Sequence, residues 1–137
     1  MERIVETLAI KTVLAPQSVS ASTDTTTGYV DASGADEVDI IISTAALGAG
    51  KGVTATLLAA TDASGSNAEE VGEALEFTDA AGTEAQAVVV SYKVDPQRGR
   101  YVAVKFQHDA AAAVICSAVA AAKMTHRPAA NAWTALL

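Results

Sequence analysis

From about residue 37 onward, apolar and polar residues alternate in several short segments of the chain. In the first of them, Val38, Ile40 and Ile42 fall on one face of an extended chain. The predicted strands cover residues 37–43, 53–60, 88–92, 100–106 and 114–124. They are separated by Gly, Asp and Ser turns at intervals of about ten residues, as in antiparallel sandwiches and barrels. We therefore predict an all-β, antiparallel β-sandwich of jelly-roll-like type.

The N-terminal part lacks this regularity. A short strand-like run from Ile10 to Leu14 stops at Pro16, and small polar residues follow up to residue 27. Such segments often become ordered on a neighbouring molecule, so we predict an extended N-terminal arm. The predicted division is an arm with a first short strand (1–27), the sandwich (28–128) and a C-terminal tail (129–137).

Two further segments are interpreted from their turn residues and charges. Residues 71–77 carry acids at helical spacing, but Gly72 and the short length favour a strand or irregular structure. Residues 48–52 are rich in glycine and are interpreted as a hairpin turn. Their spacing is not that of a phosphate-binding loop.

The composition favours an assembled protein. Hydrophobic residues make up 50% of the chain but aromatic residues only 4%, so the apolar content is mostly Ala and Val. Small side chains bury little area each, and the resulting core is thin. We therefore expect part of the apolar surface to stabilise contacts between copies, and we predict a homo-oligomer.

Charge is distributed unevenly along the chain, whose formal net charge is −7. Residues 22–84 carry twelve of the sixteen acids and a single base, Lys51, whereas most bases follow residue 85. One interpretation is a solvated acidic surface. The other is a polarised subunit with acidic loops outward and its basic end on a partner. An acidic chain without interleaved aromatics is not expected to bind nucleic acid.

No residues form a pattern that indicates catalysis or a cofactor. His108 and His126 have no second ligand at metal-binding spacing, and Cys116 is the one cysteine. The acidic stretches at 62–67 and 69–76 lack the order of a calcium loop. We expect no enzyme activity, no cofactor and no bound metal. No apolar segment is long enough to span a membrane and residues 1–6 do not have the pattern of an export signal, so we expect cytoplasmic synthesis.

The segment from Tyr92 to Val102 is predicted to be a hairpin with paired aromatics around a Pro and Gly turn. With this hairpin the sequence resembles the head decoration (cement or stabilisation) proteins of tailed bacteriophages. The resemblance covers roughly residues 10–128 and rests on the order of several elements. These are Val30-Asp31, residues 57–65, Tyr92 with Gly99-Arg100-Tyr101-Val102, residues 114–124, and His126-Arg127-Pro128. The sequence departs from the family's pattern in the turn at 93–97 and in a longer tail carrying Trp133.

The resemblance implies a β-sandwich, often trimeric, that binds the outside of the assembled capsid and stabilises capsomer junctions. Its partner would be the major capsid protein and its location the virion surface, after synthesis in the host cytoplasm. The residues that we predict to bind partners are Ile10, Val13, Leu14, Arg98, Arg100 and Trp133. The alternatives are a tail-tube, head-completion or fibre-base virion protein, a carbohydrate-binding sandwich and, last, an enzyme.

Overall fold

A computed structural model gives the fold and describes residues 2–137. One helical turn, α1 (Ile4–Thr7), precedes the strands, and a 3₁₀ turn (Pro96–Arg98) lies between the seventh and the eighth. The strands are β1 (Leu8–Val19), β2 (Thr25–Thr26), β3 (Val30–Asp31), β4 (Ala35–Thr44), β5 (Lys51–Ala60), β6 (Glu69–Asp79), β7 (Gln86–Lys93), β8 (Tyr101–His108) and β9 (Val114–Met124). Among residues 2–137, no helix has the length and apolar character needed to cross a membrane.

The strands form two sheets that pack face to face. The first sheet has the spatial order β1-β9-β4-β7. In the second, β8 lies between β5 and the short strands β2 and β3, and β6 pairs with the far side of β5. All of these pairings are antiparallel. With β2 and β3 taken as one interrupted strand, this is the order of an eight-stranded jelly roll. The predicted all-β sandwich is confirmed.

One core fills the space between the sheets. Ile40 and Ile42 of β4 are fully buried, as the alternation predicted, and Phe106 of β8 is 1% exposed. The inward side of β9 consists of small residues, Cys116, Ala118, Ala120 and Ala122. Because alanine buries little area, the core is indeed thin where β9 crosses it.

The predicted N-terminal arm is wrong for residues 8–19. This segment is β1, which pairs with β9 along its length and forms one edge of the first sheet. Val13 and Leu14 are buried in the core, and Val19 is buried at the end of the strand. Pro16 does not end the strand, because it lies on an edge where a missing backbone N–H is tolerated. The sandwich therefore begins at Leu8 and not near residue 28.

The predicted hairpin around residues 92–102 is also wrong. Tyr92 belongs to the first sheet, where it pairs with Val38, and Tyr101 belongs to the second, where it pairs with Ala60. The connection crosses from one sheet to the other through the 3₁₀ turn and Gly99, whose φ is 132°. A side chain on this glycine would stand 2.7 Å from the backbone oxygen of Ala60. The turn at residues 48–52 likewise joins the two sheets and is not a hairpin.

The ambiguous segment at residues 71–77 lies within a strand, β6. Its pairing with β5 shifts register between Ala55 and Leu57, so the strand carries an irregularity there. Gly72 has a φ of 74°, a conformation that suits glycine at such a break. The strand keeps its acids exposed along the edge of the second sheet.

Candidate interaction surface

The two ends of the described chain meet beside β1. The Asn131 side chain accepts a hydrogen bond from Ile10 N at 2.7 Å and donates to Leu8 O at 2.7 Å and Val5 O at 3.0 Å. Ala129 N donates to Glu6 O at 2.8 Å. These bonds occupy backbone groups at the free edge of β1, where another strand would otherwise pair. The C-terminal tail is therefore fixed to the N-terminal segment.

The tail and α1 together expose a set of large apolar side chains. Ile4 is 76% exposed, Trp133 99%, Leu136 55% and Leu137 105%. Arg3 Nη1 donates to Leu137 O at 2.9 Å, which holds the end of the tail next to α1. We refer to Ile4, Trp133, Leu136 and Leu137 as the terminal patch. Large exposed apolar side chains on two neighbouring segments are typical of interaction surfaces.

The terminal patch and the acidic strand lie at opposite edges of the sandwich. At the patch edge, β1 lies close to β3, and an opening of about 460 Å³ between them is lined by Ala9 and Ile10, Val30 and Asp31, and the tail residues 130–132. At the other edge, β6 lies beside β7, where Gln86 Nε2 donates to Asp79 Oδ2 at 2.9 Å. The exposed acids of β6 are Glu69, Glu70, Glu73 and Glu76. The subunit thus has an apolar edge and an acidic edge.

Arg100, a predicted partner-binding residue, lies near the patch edge but is already paired. Its Nε donates to Asp31 Oδ1 at 2.9 Å and its Nη2 to Asp31 Oδ2 at 2.6 Å. Its guanidinium also lies 5.4 Å from the centre of the Tyr101 ring. The hydrogen bonds from Arg100 lower the pKa of Asp31 well below its usual range. This bidentate pair holds the start of β8 to β3.

Arg98 stays within its own turn. It forms an ion pair with Asp95 at 3.6 Å, and Asp95 Oδ1 accepts a hydrogen bond from Gln97 N. Tyr92 Oη accepts from Asp95 N at 3.0 Å, which fixes the turn to β7. These contacts place Arg98 on the connection between the sheets and not in the terminal patch.

The six predicted partner-binding residues therefore separate into groups. Ile10 is 50% exposed and Trp133 is 99% exposed. Asn131, two residues before Trp133, accepts a hydrogen bond from Ile10 N and so links the tail to this part of β1. Val13 and Leu14 are 8% and 9% exposed, so their prediction as partner-binding residues is wrong. Both face the core because a register shift in β1 lies at this point, which turns consecutive side chains inward.

His108 is a buried link between the sheets. It is 1% exposed, its Nε2 lies 2.7 Å from Val19 O, and its Nδ1 accepts from Ala110 N at 3.2 Å. Since a carbonyl only accepts and an N–H only donates, the imidazole carries its proton on Nε2. The ring thereby ties the end of β8 to the end of β1.

The remaining residues considered for chemistry have local structural contacts. Cys116 is buried, and burial raises the pKa of its thiol. The carboxylate of Asp62 accepts hydrogen bonds from Ser64 and Ser66 within its own loop, and those bonds lower its pKa. Within residues 2–137, no cluster of His, Cys, Asp and Glu side chains has the arrangement of a metal site.

The solved structures that resemble this chain include two weak likenesses in fold. No protein-family model and no curated protein sequence matches the chain. A chain in the structure of infectious bursal disease virus, Gt strain, aligns over 89% of this chain with a TM-score of 0.48 and 11% identity, and this chain spans 34% of its length. A chain of the Bacillus endospore appendages, described as a novel family of disulfide-linked pili, aligns over 88% of this chain and 91% of its own, with a TM-score of 0.43 and 16% identity. At these scores the likenesses carry no argument about function.

Sequence reasoning missed most of the terminal patch and the residue that holds it. Asn131 stands alone in an alanine-rich tail, and a single amide gives no periodic signal. Leu136 and Leu137 were visible as apolar residues beyond the last predicted strand, which is a signal of exposure. That the tail lies beside the segment carrying Ile4 follows only from the tertiary fold, because more than a hundred residues separate the two.

Proposed function

We propose that this chain is a structural protein that binds the outside of an assembled tailed-phage capsid and stabilises the junctions between capsomers. The observation that carries the proposal is the terminal patch, a set of apolar side chains that the tail presents to solvent. A fully exposed tryptophan is unfavourable in an isolated protein, and such residues frequently dominate the binding energy of interfaces. In this role the chain catalyses no reaction.

The patch is suited to binding because it is ordered before the partner arrives. Asn131 and Arg3 hold the tail to the N-terminal segment, so little chain entropy is lost on docking. The glutamates of β6 lie at the opposite edge of the sandwich, and in the proposed orientation they face solvent. We propose that the patch edge rests on the shell, in line with a polarised subunit.

Stabilisation of the shell follows from mass action. A protein that binds the assembled, expanded shell and not its separate capsomers shifts the equilibrium toward the shell. If several copies are joined, weak contacts by each copy combine into strong binding. The proposed partner is therefore the major capsid protein, contacted by an oligomer of this chain, and the proposed location is the surface of the virion.

The experiment that tests the proposal measures occupancy on expanded shells after co-sedimentation. Trp133→Ala is expected to weaken shell binding about tenfold or more, since interface tryptophans commonly contribute at least about 2 kcal/mol. Leu75→Ala, an exposed apolar residue on β6 at the opposite edge, is the matched control and is expected to bind like the wild type. A folded Trp133→Ala protein with wild-type occupancy would contradict the proposal.

A further inference from the structure

The outer face of the first sheet carries a row of large apolar side chains across its middle. Val119 of β9 and Val89 of β7 flank Ile41 of β4 in one cross-strand row. Val89 is 49% exposed, and Ile115, near one end of β9, is 54% exposed. Strands that are apolar on both faces are typical of sheets covered on both sides. We refer to the outward residues of β4, β7 and β9 as the outer face.

The corresponding face of the second sheet is different. Its outward positions include Thr54 and Thr56 of β5 and Lys105 of β8, which forms an ion pair with Glu70 at 3.2 Å. Glu76 also lies on this side, opposite Thr54. The same side also carries Leu58 of β5 opposite Ala103 of β8, but Leu58 is half-buried and Ala103 is buried. The outer side of the first sheet is therefore the one that exposes large apolar side chains, Val89 and Ile115.

We propose that a second copy of this chain covers the outer face. Because the chain has a formal net charge of −7, two copies repel each other wherever acids meet. On the outer face, however, Glu37 pairs in register with Lys93 of β7 on one side and Lys123 of β9 on the other. Asp39 lies in the next row, so this end of the face carries two acids and two bases, and two such faces approach without net like-charge repulsion. The acidic face of the second sheet does not have this property.

The area of the first sheet is at the lower end of what a stable pair of copies needs. The sheet has four strands and β4 has ten residues, which gives a flat face of about 600 Å² at the usual strand spacing and rise. Two such faces bury about 1,200 Å² together, and specific interfaces bury roughly 1,200–2,000 Å² in total. The chain exposes 7876 Å² in total. A typical monomer of 13.9 kDa exposes about 6,700 Å². The solvent-accessible area of this chain is therefore larger than that of a typical monomer of the same mass.

This inference rests on the proposed assembly of copies but not on the shell, and light scattering tests it. The wild-type protein is expected to have a native mass of an even multiple of 13.9 kDa, because two identical faces packed on each other make a two-fold pair. Val89→Lys and Ile115→Lys place an unpaired charge in the contact and are expected to raise the dissociation constant about 100-fold or more. Leu75→Lys is the matched control, with 44% exposure on the other sheet, and is expected to retain the wild-type mass.

Nuclear magnetic resonance on the wild-type chain keeps the test independent of any variant's folding. On dilution, amide shifts of β4, β7 and β9 are expected to change, while those of β6 stay constant. A wild-type monomer at all concentrations, dissociation by Leu75→Lys as strong as by Val89→Lys, or shift changes centred on β6 would each overturn the inference. A monomer that still saturates expanded shells would overturn it and leave the proposed capsid function standing.

Discussion

His108 offers the most direct check on the packing of the two sheets. Its ring joins Val19 O, at the end of β1, to the backbone of Ala110, just after β8. All three residues are buried, so neither backbone group finds water when the ring is removed. Leucine has a comparable volume but no polar atom, which makes His108→Leu a test of the hydrogen bonds more than of the packing.

The expected loss of stability follows from these two groups. A buried donor or acceptor left without a partner costs roughly 1–3 kcal/mol, so His108→Leu is expected to lower the free energy of unfolding by about 2–6 kcal/mol. His108→Gln retains a donor near the Nε2 position but no acceptor for Ala110 N, and a loss of about 1–3 kcal/mol is expected. His126 is exposed, and His126→Leu is expected to change stability by less than about 0.5 kcal/mol.

Urea denaturation followed by circular dichroism measures these differences, with all proteins at one concentration because association adds to stability. The order expected is wild type and His126→Leu together, then His108→Gln, then His108→Leu. If the free energy of unfolding of His108→Leu lies within about 1 kcal/mol of the wild-type value, the hydrogen bonds of His108 do not stabilise the packing of the sheets as described.

Three other outcomes follow from the structure. Asp31 has a lowered pKa because Arg100 binds its carboxylate, so the pair stabilises the fold above pH of about 4 and loses that contribution as the pH falls below it. Since both side chains are more than a third exposed, Asp31→Asn is expected to cost at most about 1 kcal/mol at pH 7. The difference between the melting temperatures of the two proteins should be largest at pH 7 and shrink progressively as the pH falls from about 4 toward about 2, and a difference that does not shrink over this range would contradict the pairing. Gly99→Ala is expected to lower the melting temperature more than Gly50→Ala does. Both glycines have positive φ, but only Gly99 is crowded by the backbone of β5. Equal decreases would argue against the described crossing between the sheets. Cys116 is expected to react with a thiol reagent only in denaturant, and rapid reaction of the folded protein would show that β9 is not packed as described.

Individual strands were predictable from the sequence because their alternation is strong. The bounds predicted for β9 agree with those of the structure, and β4 extends its prediction by one or two residues at each end. In both strands the inward positions are apolar except Thr44 at the end of β4, so burial and local pattern agree closely. The fold class followed from the spacing of such strands.

Strand partners were not predictable in the same way. Nothing in the alternation of β7 and β8 says that neighbours in sequence belong to different sheets, because pairing depends on contacts between distant segments. β1 was underestimated because Pro16 usually ends a strand, and only the edge position in the assembled sheet removes that penalty. An experiment that deletes residues 1–20 would therefore remove a strand of the sandwich and not a detachable arm.

The interaction surfaces were only partly visible in the sequence. Trp133 stood out as an aromatic residue beyond the last strand, but its neighbours in the terminal patch come from the other end of the chain. The outer face did have a local signal, the consecutive Ile40, Ile41 and Ile42, since a strand with one solvated face would carry a polar residue in the middle.

The orientation of the subunit on a shell tests the central claim most directly. Electron cryomicroscopy of expanded shells saturated with the wild-type protein would locate each edge of the sandwich. We expect density on the outside of the shell at capsomer junctions, with the terminal patch toward the capsid protein and β6 toward solvent. An absence of bound density, or a subunit whose β6 edge contacts the shell while Trp133 faces solvent, would contradict the account.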